Sequence, residues 1–261
     1  MREVLVSIFL SLFLAGCTQA LPGPETQASR WRPRPGTLWQ WQLQGKLDTS
    51  FKVDAYDLDL FDTSAVTIAE LHNRGAKVIC YFSAGSYEAW RPDAAKIPKA
   101  ARGKKMQGWN ELWLDVRSTE VKAVMRARLA LASKKGCDAV EPDNVDGYSH
   151  KTGFALTASD SLRDSTFLAR EAHAGGLSVV LKNNLGQVKA LEPYFDFAIN
   201  EECRARNECA KLRPFIEARK AVLGVEYDLH PKKVCRRVNA ANMDFLKKRR
   251  GLDAYRFTCR S

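Results

Sequence analysis

The chain has 261 residues and a formal net charge of +11, from 41 lysines and arginines against 30 acidic residues. A basic chain can bind nucleic acid, but the export signal described below argues against that partner, because exported proteins rarely meet it. We interpret the basic residues as solvated surface or as contacts with an anionic envelope. The seven cysteines lack the spacing of a metal site.

Residues 1–16 resemble a signal peptide, with Arg2 as the positive start, an apolar run from Val4 to Leu14, and small residues after it. The run is too short to span a bilayer. Its end, Leu-Ala-Gly-Cys17, resembles the lipobox of bacterial lipoproteins, in which cleavage leaves Cys17 as the lipidated first residue. We therefore expect an exported cell-envelope protein, periplasmic or on the surface, that contacts a membrane through the lipid on Cys17 only. An ordinary secretory signal and a buried cysteine are the alternatives.

Residues 17–36 predict an extended tether, because they contain four prolines and no apolar periodicity. The folded part is then 37–261, a length that fits one barrel or two small domains. No region rich in glycine, serine or proline divides it, so we expect a single domain, and a monomer.

Short apolar runs alternate with helical patterns along the folded part, and several predicted helices end in a glycine just before a strand. Helices are predicted at 120–135, 159–174 and 208–219, and strands at 38–44, 56–62, 77–83, 137–143, 177–183, 195–201, 221–227 and 252–258. Eight strands alternating with helices predict an α/β fold, a (β/α)₈ TIM barrel. A doubly wound open sheet is the alternative, but no glycine-rich phosphate loop follows the first strand.

Acidic residues collect where the predicted strands end, and a barrel forms its active site at these carboxyl ends. They are Asp59 and Asp62, then Glu141, Asp143 and Asp146, then Glu201 and Glu202, and finally Glu226 and Asp228. An acidic rim on a basic chain indicates a metal site or a glycosidase carboxylate pair, with a cationic ligand. With four histidines a metal site is disfavoured, although an oxygen-only Ca²⁺ or Mg²⁺ site stays open. Glycoside hydrolysis fits better and needs no cofactor, because one carboxyl group protonates the leaving oxygen while the other attacks the sugar or activates water.

Aromatic residues support a sugar ligand, because their flat faces stack on pyranose rings, although any single one is more often part of a core. The candidates are Trp39, Trp41, Tyr81, Trp90, Trp109, Trp113, Tyr148 and Tyr227. Lys182, at the end of the fifth predicted strand, is expected to contact a substrate hydroxyl or a carboxylate, with a Schiff base as the alternative.

Disulfides are expected in an exported chain. Cys203 with Cys209, and Cys235 with Cys259, are the preferred pairs. Two further cysteines, Cys80 and Cys137, lie in apolar strand-like runs and are equally compatible with buried free thiols.

Six motifs follow one another along the folded part: Trp39 to Gln44, Tyr56 to Asp62, Val78 to Gly85, Glu141 to Tyr148, Leu181 to Asn183, and Asn200 to Cys203. Together they resemble glycoside hydrolase family 114, the endo-α-1,4-polygalactosaminidases, from about Leu38 to Cys259. The resemblance implies a TIM barrel that cleaves α-1,4-linked galactosamine-containing polysaccharide. A cationic amino-sugar polymer agrees with the acidic rim.

Carried over to this chain, the family's catalytic pair falls on Asp143 and Glu201. We expect Asp143 to act as nucleophile or base and Glu201 as acid, and the reverse order stays open. Strand alternation does not separate Glu201 from Glu202. The other residues expected to bind substrate are Trp41, Asp59, Tyr81, Trp109, Glu141, Asn144, Asp146, Lys182, Glu202, Glu226 and Tyr227.

Two other functions compete with hydrolysis. The first is a non-catalytic polysaccharide-binding lipoprotein on the same barrel, which the presence of both acids disfavours. The second is a basic envelope protein that binds anionic polymer or nucleic acid, with salt-sensitive binding that is indifferent to Asp143; it ranks last.

Overall fold

The computed structural model describes residues 30–260. The expected signal peptide, Cys17 and most of the tether lie outside the described residues. The strands are β1 (Trp39–Gln42), β2 (Ala55–Asp59), β3 (Lys77–Ser83), β4 (Ser86–Tyr87), β5 (Arg102–Lys105), β6 (Leu112–Leu114), β7 (Ala139–Asp143), β8 (Ser178–Lys182), β9 (Phe197–Glu201), β10 (Val222–Glu226), β11 (Asp244–Lys247) and β12 (Phe257–Thr258). The helices are α1 (Ala65–Asn73), α2 (Thr119–Lys135), α3 (Ala158–Ala174), α4 (Val188–Leu191), α5 (Arg213–Glu217) and α6 (Pro231–Ala240). Among these, no helix is long and apolar enough to cross a membrane.

Nine strands form the main sheet, in the order β1-β2-β3-β7-β8-β9-β10-β11-β12. Neighbouring strands from β1 to β11 run parallel, and β12 pairs antiparallel with β11. Strand order in the sheet follows chain order, so the described sheet has no point where the order reverses, as a doubly wound fold would have.

The eighth parallel strand corrects the sequence prediction, because it is β11 and not the segment 252–258. That segment begins at Leu252, whose φ of 48° is left-handed, and contributes only the short β12. The strand β11 begins with Asp244 and ends with Lys247, so its sequence lacks the apolar run that predicted the other strands. Asp244 is nevertheless buried, because it accepts a hydrogen bond from the Gly36 N–H at 2.9 Å and pairs with Arg260.

The sheet curls around its own inward-facing side chains. Alternate residues of the parallel strands pack into one buried cluster, whose larger members are Trp39, Trp41, Ile79, Val180, Phe197, Ile199, Leu223, Val225 and Leu246. The Trp39 indole N–H donates to the Asp244 carbonyl at 3.1 Å, which brings β1 towards β11. No strand pairing joins β1 to β11 or β12 within residues 30–260. The fold is therefore α/β with a curled, open parallel sheet, and the closed eight-stranded barrel is not confirmed.

The segment between β3 and α2 forms a separate antiparallel sheet, in the order β4-β6-β5. Buried ion pairs attach it to the main fold. Arg91 donates to both carboxylate oxygens of Asp59 at 2.9 and 2.6 Å, and Arg128 of α2 donates to both oxygens of Asp93 at 2.9 Å. Because a buried charge is costly without a partner, these pairs fix the segment beside the carboxyl end of β2.

Three disulfides are present. The predicted pairs Cys203–Cys209 and Cys235–Cys259 are confirmed. The third joins Cys80 on β3 to Cys137, just before β7, so the two cysteines that the sequence left open are paired. Parallel pairing places β3 beside β7 although 57 residues separate the two cysteines, which local patterns do not reveal.

A buried carboxyl group on α3 destabilises the fold at neutral pH. Burial raises the pKa of Asp164 to about 7, and nearby Lys122 offsets little of this. The unfolded pKa is about 3.9, so no penalty exists below that pH; the penalty grows as the unfolded chain ionises and is complete above the folded pKa.

We predict that Asp164→Asn increases the free energy of unfolding at pH 8 by up to ~4 kcal/mol relative to its effect at pH 3.5. Urea unfolding at both pH values measures the difference. Asp62→Asn, which removes an exposed carboxyl group, serves as the control and should show little pH-dependent change. Equal effects of Asp164→Asn at the two pH values would contradict the prediction.

Candidate active site

Charged side chains from three neighbouring strands meet at the carboxyl edge of the sheet. Glu141 and Asp143 lie on β7, Lys182 ends β8, and Glu201 ends β9. The Lys182 ammonium lies 2.6 Å from Glu141 Oε1, 3.4 Å from Asp143 Oδ1 and 3.5 Å from Glu201 Oε2. The Lys182 side chain is 1% exposed, whereas those of Asp143 and Glu201 are 18% and 28% exposed. A ligand arriving from solvent therefore reaches these two carboxylates first.

Lys182 carries its charge in this setting. Burial by itself would lower the pKa of the lysine, but the carboxylates of Asp143, Glu141 and Glu201 outweigh burial and raise that pKa well above its ordinary value. The ammonium also lies 4.5 Å from the centre of the buried Trp41 ring, which adds a cation–π contact. The ring centre of Tyr81 lies 5.8 Å from the same ammonium.

Glu201 is held in its ionised form. Burial would raise its pKa, but Lys182, the Tyr227 hydroxyl and the Asn183 side chain together lower it below the ordinary value. Tyr227 donates to Glu201 Oε1, and Asn183 Nδ2 donates to Oε2 at 3.1 Å. The Asn183 side-chain oxygen also accepts from the Glu201 backbone N–H at 2.9 Å, so both ends of the residue are fixed.

Asp143 has fewer donors and holds a proton more readily. Burial raises its pKa; Lys182 offsets part of this, and the negative charge of Glu201 adds to the rise. The backbone N–H of Asn144 donates a hydrogen bond to Asp143 Oδ1 at 2.7 Å. The two carboxyl groups thus differ in opposite directions from their ordinary pKa values, as an acid and its ionised partner require.

Left-handed residues turn the chain sharply after the site strands. Asn144, Asn183 and Glu202 have φ values of 62°, 49° and 61°. At Glu202 this turn separates it from its neighbour: Glu201 faces Lys182, whereas Glu202 pairs with Arg206 at 3.0 Å and Arg250 at 2.8 Å. The alternation of side chains along a strand could not show which glutamate faces the site, whereas the left-handed turn at Glu202 leaves Glu201 facing Lys182.

The segment after β3 closes tightly against the turn that follows Asp143. A Cβ at Gly85 would lie 1.8 Å from the Asn144 carbonyl oxygen, so a larger residue does not fit there. The Asn144 side chain donates to Ser83 Oγ at 2.9 Å. Glycine at position 85 therefore lets the segment pack directly on the β7 turn.

Four of the predicted site residues, Asp59, Asp146, Glu226 and Trp109, make their described contacts outside the Lys182 cluster. Asp59 pairs with Arg91 inside the protein, and Glu226 accepts from the backbone N–H groups of Arg204 and Ala205. Asp146 lies 3.2 Å from the His150 ring, and Trp109 is 55% exposed between β5 and β6. The described contacts of these residues are therefore with groups other than Lys182 and its three carboxylates.

Sequence reasoning missed Asp57 and Glu111. Asp57 is fully buried on β2, and its side chain contacts Glu141; spacing of two from Asp59 was the available signal, because alternate strand residues share a face. Glu111 accepts from the Ser86 hydroxyl, and burial raises its pKa to about 6. No local pattern predicts that contact, because it depends on the small sheet.

Within residues 30–260, no group of His, Cys, Asp and Glu side chains has the arrangement of a metal site.

Comparison with known proteins identifies the family. Residues 21–261 match the model of glycoside-hydrolase family GH114. This chain belongs to that family. It is therefore a glycosidase.

Solved structures agree with this assignment. Ega3 from Aspergillus fumigatus, solved in complex with galactosamine, is 38% identical and has a TM-score of 0.85, covering 88% of this chain and 98% of its own. The glycoside hydrolase domain of PelA from Pseudomonas aeruginosa is 14% identical, with a TM-score of 0.65 over 85% of this chain and 97% of its own, and shows the fold alone. No curated protein matches the sequence.

We predict that Tyr227→Phe raises the pKa of Glu201, because the hydroxyl donates to the ionised carboxylate. A hydrogen bond to a charged group contributes ~1.5–3 kcal/mol, which corresponds to roughly one to two pH units. Carbon NMR titration of the glutamate side chains measures the change without any substrate. Tyr255→Phe, at a partly exposed tyrosine, is the control. A Glu201 titration that is the same in wild type and Tyr227→Phe would contradict this prediction.

Proposed function

We propose that the protein is an endo-acting hydrolase of α-1,4-linked galactosamine-containing polysaccharide, with Asp143 and Glu201 as its catalytic carboxyl groups. The observation that carries the proposal is the Lys182 ammonium, which lies within 3.5 Å of both groups and holds them at one solvent-facing point. Ega3, which is 38% identical, was solved with galactosamine, and this supports an amino sugar as the substrate here.

Charge supports the same substrate. The protein carries a net charge of +11, yet the site gathers Glu141, Asp143 and Glu201 around one buried lysine. De-N-acetylated galactosamine is cationic near neutral pH, so an excess of carboxylates attracts it, while the basic remainder of the protein surface repels it. A cationic polymer would therefore gather at the site rather than elsewhere on the protein.

We propose a double displacement with retained configuration, with which the spacing of the two carboxyl groups is compatible. One oxygen of each carboxyl group lies within 3.5 Å of the same nitrogen, so these oxygens are no further apart than twice that distance. Retaining enzymes separate their carboxyl groups by roughly 5–5.5 Å and inverting enzymes by roughly 6.5–9.5 Å. One group would attack the anomeric carbon while the other protonates the leaving oxygen.

The pKa directions favour the opposite division of roles from the sequence expectation. In the unliganded chain Asp143 holds a proton more readily, because burial raises its pKa, while Lys182 and two further donors lower the pKa of Glu201. Azide rescue distinguishes the two orders. In a variant without the nucleophile, azide displaces the leaving group directly and yields a glycosyl azide of inverted configuration. In a variant without the acid, azide attacks the glycosyl-enzyme and yields a glycosyl azide of retained configuration, so the product configuration from Asp143→Ala and Glu201→Ala identifies the attacking group.

We also propose that the protein is exported and anchored to the envelope through lipid on Cys17. The apolar run and the Leu-Ala-Gly-Cys motif of the sequence support this. Three disulfides agree with an oxidising compartment. Mass spectrometry of the N-terminal peptide from membrane fractions tests the lipid.

We predict that the purified protein releases oligosaccharides from partly de-N-acetylated α-1,4-galactosaminogalactan. Asp143→Asn and Glu201→Gln should each reduce kcat/KM by at least about 100-fold, because each removes a group that transfers a proton or attacks the sugar. Glu202→Gln is the matched control: the adjacent glutamate faces Arg206 and Arg250, and its variant should retain activity.

Tight binding of the polymer by the wild-type protein without release of products would instead support the non-catalytic binding function. Loss of activity in Glu202→Gln with full activity in Glu201→Gln would move the catalytic assignment to the neighbouring residue.

A further inference from the structure

Two buried carboxyl groups lie near the Lys182 ammonium. Asp57 on β2 and Glu141 on β7 are both fully buried, and they lie close enough that the charge of Glu141 raises the pKa of Asp57. Neither oxygen of Asp57 nor Glu141 Oε2 has a hydrogen-bond donor within residues 30–260. Two ionised carboxylates are both acceptors and repel each other, so leaving both ionised and without donors in the interior is costly, whereas a proton on one of them supplies a donor to the other. One of the two therefore carries a proton.

The surroundings decide which residue holds the proton. Glu141 has a cation at one oxygen, because the Lys182 ammonium donates to its Oε1 at 2.6 Å. Asp57 has no cation at hydrogen-bond distance among the described residues, and its strand neighbours in register are Trp41 and Ile79. A buried carboxyl group without a cationic partner takes up a proton in preference to one that has such a partner.

We propose that Asp57 is a protonated positioning residue, whose O–H donates to Glu141 Oε2. The hydrogen bond keeps Glu141 ionised and oriented towards Lys182, and Glu141 in turn fixes the ammonium between Asp143 and Glu201. Burial and the charge of Glu141 raise the pKa of Asp57 well above its ordinary value, in agreement with this arrangement. Asp57 is fully buried and makes no hydrogen bond to Asp143 or Glu201.

Protonated Asp57 thereby sets how much of the lysine charge reaches the catalytic pair. While Glu141 is ionised, it neutralises part of the Lys182 charge. If Glu141 were neutral, Lys182 would act more strongly on Asp143 and Glu201 and would lower the pKa of both. The other titratable group beside the lysine is Tyr81 on β3, which stays neutral because burial raises its pKa well above the ordinary value.

Infrared difference spectroscopy tests the protonation state without substrate. In wild-type protein minus Asp57→Asn at about pH 9, we expect the C=O stretching band of a buried protonated carboxyl group. Asp164, Asp244 and Glu111 do not interfere, because their pKa values of about 7, 6 and 6 leave them ionised at that pH. A difference spectrum without the band overturns the proposal, whatever the protein hydrolyses.

Kinetics test the positioning role, and this second test rests on the proposed function. Asp57→Asn retains a donor, because its amide N–H replaces the O–H, so kcat/KM should stay within about threefold of wild type with the same pH profile. Asp57→Leu removes the donor and makes Glu141 harder to ionise. We expect its kcat to fall about tenfold or more, the alkaline limb of its pH profile to move to lower pH, and its KM to change little.

Asp164→Asn, which removes another buried acid, on α3 and outside the Lys182 cluster, is the control and should behave as wild type. An Asp57→Asn variant as impaired as Asp57→Leu would show that the negative charge of Asp57 is needed and would overturn the proposal. Wild-type pH profiles in both variants would also overturn it. If Asp57→Leu does not fold, the infrared band and the Asp57→Asn profile still decide. Inactive wild-type protein that shows the band would count against the proposed function alone.

Discussion

The buried Lys182 ammonium is the charge on which the site depends. It neutralises Glu141 at 2.6 Å and lies at 3.4 and 3.5 Å from Asp143 and Glu201. Without a cation, three carboxylates so close together would repel one another, and at least one would take up a proton. With the cation present, Glu201 stays ionised while Asp143 holds a proton more readily, so one lysine maintains two acids in different states.

The fold provides the positions that this charge balance needs. Parallel pairing brings the carboxyl ends of β7, β8 and β9 side by side, so that two residues of β7 and one each of β8 and β9 reach the same point. Left-handed turns at Asn144, Asn183 and Glu202 then lead the chain away, which leaves the carboxylates open to solvent. Ion pairs of Arg91 and Arg128 hold the small antiparallel sheet beside this edge. Each of these features depends on only one or a few residues, yet it determines the geometry at the site.

The protein is basic overall, but its site is acidic, so the surface and the site act in opposite directions on a cationic polymer. The net positive charge disfavours a cationic polymer over most of the surface, while the carboxylates around Lys182 favour it locally. The same excess of carboxylates explains why a proton is retained on the buried Asp57, since the interior accepts as few unpaired charges as its geometry permits.

Local pattern in the sequence determined seven of the eight parallel strands, the acids that end them, two disulfides and the family, because periodicity, turn residues and motif order are properties of neighbouring residues. Tertiary structure decided the rest. The polar ends of β11 concealed the eighth strand, Cys80 met Cys137 through strand pairing, and the turn at Glu202 directed Glu201 towards Lys182. The contact of Asp57 with Glu141 joins residues on strands that are not neighbours in the sheet. Such contacts depend on how far the sheet curls, a property of the whole chain that no short segment encodes.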